Sequence, residues 1–400
     1  MRRLKKTLFA LVSLTVPFVA GAGLTDTIPS GFSRPLEWRI GGEISPAYVM
    51  PTNRFLRGDN PEQRYIQGNF SGSLRADFSF SGDSKEGMLY KGTYQGVGIG
   101  GETFFSNSLL GTPFTAYVFQ GAPIVNFSRR WWLGYEWKFG AAIGWKHYDK
   151  ETADDNVVAS TSATALMGLG LHLHYSLSDR WDISLGIEAR HYSNGNTSLP
   201  NSGANTVGGS IGFAYVLNPL PKTGAVAHEL EEEADRGGWL YDIMVFGAWR
   251  KRIVNVGNYT PEPQLVPGKF GVFGFQFSPM RSLNRYVAVG PALDVQWDES
   301  AGLEDYWVEG TTDDYIKFYR PSFWKQLSAG VSAHAELTMP IFCVNVGFGY
   351  DFINPKGDKR FYQSLTLKTF VTKHLFLNVG YRLGDFKDPQ NLMLGVGVRL

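Results

Sequence analysis

The chain has 400 residues, 43% of them hydrophobic and 14% aromatic, which supplies one large or two ordinary folded domains and excludes a disordered tail or linker protein. Forty-seven glycines against a single cysteine, Cys343, exclude an intramolecular disulfide and any cysteine-based metal site, because both need several thiolates at defined spacing. Setting aside the four basic residues of the leader described next leaves 34 of the 38 basic side chains against 37 acidic ones, a net charge of about −3 that makes nucleic acid an unsuitable partner.

Residues 1–22 read as a secretory signal peptide: Arg2, Arg3, Lys5 and Lys6, then the apolar run Thr7 to Phe18, then Ala20-Gly21-Ala22, with cleavage expected near Ala22. Beyond it no stretch of eighteen apolar residues escapes interruption by glycine or charge. A membrane-spanning helix is therefore not expected, and membrane insertion would require a closed β-barrel. From residue 23 to 217 the chain is a succession of short alternating runs, with strands expected at 36–50, 64–82, 89–100, 113–122, 130–147, 159–177, 181–193 and 205–217. A soluble sandwich would alternate too. The connections discriminate, since long ones (50–63, 149–159) take turns with short ones (176–180), the habit of an outer-membrane barrel with extracellular loops and periplasmic turns. Trp131, Trp132, Trp137, Trp145 and Trp181 lie near run ends, where aromatic girdles are expected.

A polar linker, 218–237, precedes eight more runs, at 238–251, 269–280, 285–296, 322–337, 341–351, 361–371, 374–383 and 391–400. The last is the plainest, with Leu392, Leu394, Val396, Val398 and Leu400 on one face. The second half, 238–400, reads as another eight-strand unit, and Leu185-Gly186-Ile187 aligns in phase with Val379-Gly380-Tyr381. Eight and eight strands close either as two tandem barrels or as one barrel of about sixteen strands. The length of the linker favours two.

One strand breaks the rule for a lipid-facing surface. From Trp181 the outward phase runs Ile183, Leu185, Ile187, Ala189 and then His191 and Ser193, while Asp182, Ser184, Glu188 and Arg190 point inward. Polar groups facing hydrocarbon are costly, so the exception marks a candidate site. Ten residues at about 3.3 Å, tilted about 45°, climb about 23 Å, which puts the pair at the outer-leaflet rim. Residues two apart share a strand face, so an imidazole there can act as general base for a hydroxyl. Asn205, in the outward phase of the next strand, is placed to orient His191. The same residues are also compatible with an ordinary turn leaving a strand, because Ser, Asn and Gly are turn formers.

The stretch RHYSNGNTSLPNSGANT (190–206), at the end of the penultimate strand of an eight-strand unit, resembles the signature of the PagL-like lipid A 3-O-deacylases: His-aromatic-Ser-Asn followed by a Pro-Asn-x-Gly loop. The resemblance covers the N-terminal half and does not extend to the second. It implies an outer-membrane esterase with Ser193 as nucleophile and His191 as base, acting on the ester that links a hydroxyacyl chain to lipid A of lipopolysaccharide. Such chemistry needs Ser, His and water, and no cofactor. The sequence departs from the family where a triad Glu is usual, having Asn205, an amide that can accept from the imidazole but stabilises its cation less. Glu188 is inward and does not substitute. Asn194 matches the motif and is a candidate either for the oxyanion or for shaping the turn. The hairpin alignment puts Asp385 and Lys387 opposite His191 and Ser193, so the second unit lacks the dyad. The competing expectation is a non-enzymatic barrel, a porin-like channel or a surface-binding protein. His172 and His174 alternate on one strand without forming a metal set.

Overall fold

The computed structural model describes residues 36–82, 84–149, 153, 155–220, 237–256, 262–308, 317–355, 359–386 and 388–400. The expected signal peptide and residues 221–236 of the expected linker lie outside the described residues.

Alternating runs separated by turn residues form two closed antiparallel barrels of eight strands each. The first consists of β1 (Leu36–Val49), β2 (Gly68–Phe80), β3 (Tyr94–Thr103), β4 (Gly111–Asn126), β5 (Trp131–Trp145), β6 (Ala163–Ser176), β7 (Trp181–Ser193) and β8 (Ala204–Val216). Each strand pairs with the next, and β8 returns to β1 from Arg39↔Val216 to Val49↔Thr206. The second barrel begins with β9 (Trp239–Arg250), carries the small hairpin β10 (Ile253–Val256) and β11 (Glu262–Leu265), and continues through β12 (Phe270–Ser282) and β13 (Val287–Asp298). After the two-residue strands β14 (Trp307–Val308) and β15 (Lys317–Phe318) come β16 (Leu327–Thr338), β17 (Phe342–Ile353), β18 (Phe361–Phe370), β19 (Leu375–Gly384) and β20 (Asp388–Arg399). Here β20 closes onto β9, with Arg399↔Asp242 at the end of the register. The tandem arrangement is thus the one that forms, and the single barrel of about sixteen strands is not, because β8 hydrogen-bonds to β1 rather than to β9. No helix among the described residues is long and apolar enough to cross a membrane.

Closure gives every barrel strand a hydrogen-bonding neighbour on both sides without water, and strand parity then sorts the side chains. Leu185 and Ile187 on β7 are 62% and 65% exposed on the outer surface, while Glu188 and Arg190, in the opposite phase of the same strand, are buried. The first lumen is filled by ion pairs. Lys138 lies between Glu43 and Glu188, the latter at 3.0 Å, Arg75 bridges Glu43 at 2.7 Å and Glu136 at 2.5 Å, and Arg190 meets Glu188 at 3.0 Å. In the second lumen Arg399 holds Asp242 with two bonds of 2.7 Å, and Lys368 reaches Asp242 and Glu336 at 2.6 Å each. Eight strands enclose a space that side chains can fill. These buried charges survive because they are paired and hydrogen-bonded, most of them across strands far apart in sequence.

The tryptophans divide. Trp131 and Trp181 are exposed at the girdle, each against a tyrosine of the neighbouring strand. Trp132, one residue out of phase, turns inside and stacks on His174 with 3.6 Å between ring centroids. Trp145 is buried among Phe104 and Tyr192, because Gly144 at φ 110° interrupts the β4–β5 register and flips the parity beyond it. Trp137 keeps the outward phase yet is buried, since it meets the second barrel: its ring contacts Phe342 edge-on at 5.1 Å, in a cluster with Ile341 and Leu367. Below this contact, Tyr90 donates to the Arg285 carbonyl and Tyr286 to the Leu89 carbonyl, both at 3.1 Å. Above it, the Lys251 N–H donates to the Asn196 carbonyl at 3.1 Å. The barrels therefore stand side by side with the same ends facing the same way.

Removing the central cation of the first lumen leaves buried carboxylates without their partner. Lys138→Met is expected to destabilise the barrel by about 3–5 kcal/mol, read as a lower urea midpoint for loss of the fast-migrating folded form on unheated gels. Cutting at a protease site engineered between residues 221 and 236 is expected to leave both barrels folded, since neither closure uses that segment; two fragments that each lose heat-modifiable migration would contradict it.

Candidate active site

The site grows out of β7, where three consecutive residues take three different tasks by parity. Tyr192 points inward, is fully buried, and donates to both carboxylate oxygens of Glu102 at 2.8 and 2.7 Å. His191 and Ser193 point outward and are half-buried. The inward tyrosine anchors the strand end from within, so the two outward side chains are held at the rim. Across the ladder His191 faces Asn205 on β8 and Met167 on β6, and Ser193 faces Ala165. His191 Nδ1 lies 2.7 Å from Asn205 Oδ1. An amide oxygen there accepts the Nδ1 proton and leaves Nε2 as the basic nitrogen.

Ser193 opens a compact loop. Its hydroxyl oxygen accepts the Gly195 N–H at 3.1 Å and Asn201 Nδ2 at 2.9 Å. The structure thus brings His191 together with Asn205, and Ser193 together with Asn201, with the two pairs separated by one strand step of about 6.6 Å. Asn201 also accepts the Asn194 N–H at 3.1 Å, closing the loop on itself. Gly203 is where glycine is required: it sits at φ 68°, and a Cβ there would fall 2.6 Å from the Tyr192 carbonyl and 3.4 Å from the His191 ring. The loop is pinned from below, where the Ser202 and Gly203 amides donate to the Val157 and Val158 carbonyls at 2.9 and 3.0 Å.

Asn194 is buried, and its amide nitrogen donates to Ser160 Oγ at 3.1 Å and to the Ser198 carbonyl at 3.0 Å. Both amide hydrogens have partners within the loop, so its contacts are those of a residue that shapes the turn. Asn201, in sequence only one member of the Pro-Asn-x-Gly loop, is the residue whose side chain touches the Ser193 hydroxyl. Its signal was its place in the motif, and its role needed the loop to be folded. Glu188 lies in the lumen between Lys138 and Arg190, on the opposite side of the strand from His191.

The second barrel has no His/Ser pair at the equivalent rim position: Asp385 is there, 3.0 Å from Lys359, and Lys387 lies outside the described residues. It does contain a triad-like set inside its lumen, Ser332 Oγ at 2.8 Å from His334 Nε2 and His334 Nδ1 at 2.6 Å from Asn345 Oδ1. Those side chains are buried, and Ser332 is also bonded to Asp294, which Tyr362 contacts in turn. The set belongs to the polar filling of the barrel. No group of three or more His, Cys, Asp or Glu among the described residues is placed to hold a metal ion.

Comparison with known families matches each barrel separately. Residues 70–214 match the family described as Lipid A 3-O-deacylase (PagL), and residues 239–400 match Acyloxyacyl hydrolase, C-terminal domain. The family relationship therefore reaches the second half too, where the motif-based resemblance stopped because it rested on residues that the second barrel lacks. No curated protein matches the chain. The solved structures it matches are remote. The siderophore receptor PirA of Acinetobacter baumannii has 9% identity and a TM-score of 0.20, covering 88% of this chain and 68% of its own. A mutant porin of Rh. blastica has 8% identity and a TM-score of 0.16, covering 92% and 100%. The alcaligin receptor FauA of Bordetella pertussis has 10% identity and a TM-score of 0.21, covering 91% and 65%. Scores this low bear on neither architecture nor activity. From the family matches to both barrels, the chain belongs to the PagL-like lipid A deacylase family, as an outer-membrane hydrolase built from two barrels.

Proposed function

We propose that the protein is a serine esterase that removes the 3-O-linked hydroxyacyl chain of lipid A, with Ser193 as nucleophile, His191 as general base and Asn205 orienting the imidazole. The observation that carries this reading is the 2.7 Å contact between His191 Nδ1 and Asn205 Oδ1 on the lipid-facing surface, with Ser193 two residues further on the same face. Below the pair the outer surface is apolar, through Ala189, Ile187 and Leu185 on β7 and Leu169 on β6, and this is a surface along which an acyl chain can lie. The scissile ester of a lipid held there sits at the rim, where acyl chain and sugar meet.

Ser193 Oγ attacks the ester carbonyl carbon as its proton passes to His191 Nε2. The tetrahedral intermediate collapses with His191 returning that proton to the departing sugar oxygen, and water then hydrolyses the acyl-enzyme by the same base, releasing the hydroxy fatty acid. Gly195 N–H and Asn201 Nδ2, which bond the Ser193 hydroxyl in the resting site, are the donors at hand for the oxyanion. With Asn205 neutral, the imidazolium is stabilised by a dipole rather than a charge. Ion-paired lumens argue against the porin-like reading, since an eight-stranded barrel filled by side chains leaves little room for a water column.

Mass spectrometry of lipid A incubated with detergent-purified protein is expected to show loss of one hydroxyacyl mass with wild type and none with Ser193→Ala; equal loss with both would remove Ser193 from the mechanism. Asn201→Ala is expected to lower kcat by about 10²–10³ with little change in KM. Asn205→Leu should lower kcat by about 10² or more, whereas Asn205→Asp, which restores a carboxylate, should raise kcat above wild type. A wild-type rate in Asn205→Leu would show that the imidazole needs no orienting partner.

A further inference from the structure

The catalytic loop does not end in solvent. Gly195, at φ 63°, lies so close to the second barrel that a Cβ there would fall 2.6 Å from the Leu392 side chain, and the next residue accepts the Lys251 N–H. Directly beneath, the extracellular mouth of the second barrel opens as a cavity of about 450 Å³, with Asn196 and Leu199 of the catalytic loop forming part of its wall. That volume is in the range of small-molecule sites. Asn196 is three chain steps from Ser193, so the cavity begins within about 11 Å of the nucleophile.

The lining is polar and cationic. Arg250, Lys251, Arg252, Lys359 and Arg382 outnumber Asp298, Glu304 and Asp351. Arg250 and Arg382 are held in place by Asp298 at 2.9 Å and Asp351 at 2.5 Å. In the wall, the buried atoms Arg250 Nε and Gln296 Oε1 have no hydrogen-bond partner among the described residues. Gln296 is 93% buried, at 7% exposure. A buried donor and a buried acceptor left open in one cavity are matched by a ligand that has both an anionic group and hydroxyls. Surplus positive charge selects the anion, and the rim position selects a molecule whose apolar part remains in the membrane.

We propose that the mouth of the second barrel is the receiving site for the phosphorylated sugar headgroup of the substrate, so that the two barrels divide the lipid between them, with the headgroup in the second and the ester on the first. This rests on the reading of the first barrel as the lipid A esterase, and it deepens that reading by assigning a role to the half of the chain that lacks the dyad. Phosphate is the anion, the Arg250–Lys251 edge its counter-charge, and Gln296 the acceptor for a sugar hydroxyl.

The test uses the full chain in detergent, with folded migration checked for every variant. For hydrolysis, bisphosphorylated lipid A is compared with its dephosphorylated form for wild type, Lys251→Glu and Lys251→Arg. The expected result is that Lys251→Glu raises KM for the bisphosphorylated substrate about tenfold relative to the dephosphorylated one, equivalent to about 1.4 kcal/mol, and that Lys251→Arg restores the preference. An unchanged KM ratio in a folded, active Lys251→Glu enzyme would overturn the proposal. For binding, glucosamine 1-phosphate and inorganic phosphate are titrated separately into Ser193→Ala protein by calorimetry. Glucosamine 1-phosphate binding that exceeds phosphate binding and is weakened by Gln296→Leu supports a headgroup site even if no lipid A is hydrolysed, in which case it is the esterase reading that fails. Equal binding of the two ions, or none of either, overturns the headgroup assignment while leaving the esterase reading to stand on the hydrolysis data.

Discussion

Everything in this protein depends on backbone hydrogen bonds that must be closed without water. In hydrocarbon an unpaired N–H or C=O is too costly to leave, so a strand that enters the membrane needs a partner on both sides. Here that demand is met twice, by β1 with β8 and by β9 with β20. Closure at eight strands has a second consequence. The enclosed space is narrow, every other residue must project into it, and polar residues projecting there must find each other. The lumens solve this with ion pairs between residues separated by as much as 157 positions, as between Arg399 and Asp242.

The same alternation makes chemistry on the outside affordable in structural terms. A histidine and a serine facing lipid would be isolated anywhere in the middle of the outer surface. At the end of β7 they meet Asn205 and a loop whose amides and side-chain nitrogen reach the serine. Tyr192, clamped onto Glu102 inside, fixes the strand end between them. Ion-paired lumen, clamped strand end and pinned loop form one continuous chain of contacts, and this is the kind of support that a preorganised site requires.

Two barrels in one chain raise the question of what the second contributes. Its contact with the first is tiered, tyrosines at one end, Trp137 against Phe342 in the middle, and the loop after Ser193 against Leu392 and Lys251 at the other. Aromatic packing between outward faces explains why Trp137 is buried although its phase is that of a lipid-facing residue. The arrangement brings a charged, hydrogen-bonding mouth beside a rim that by itself offers an apolar slope and the outward His191 and Ser193.

The amino-acid sequence by itself determined the strands and their parity, because period-two alternation and turn residues are local properties: the run ending at His191 and Ser193 declared both the strand and the face. It also carried the motif that names the family for the first half. What lay beyond it were outcomes of closure. Which strand follows β8 in the ladder, and hence two barrels rather than one, is decided by hydrogen bonds between segments about 170 residues apart. Trp145 turned inward only because a bulge at Gly144 shifted the phase. Asn201 became a partner of Ser193, and Asn194 a turn residue, only once the loop had folded back on itself. The wall of the cavity beside the site is completed only by docking, since it joins Asn196 of one barrel to Arg250 and Gln296 of the other. Local pattern records which face a residue takes; only the closed and docked barrels set what that face meets.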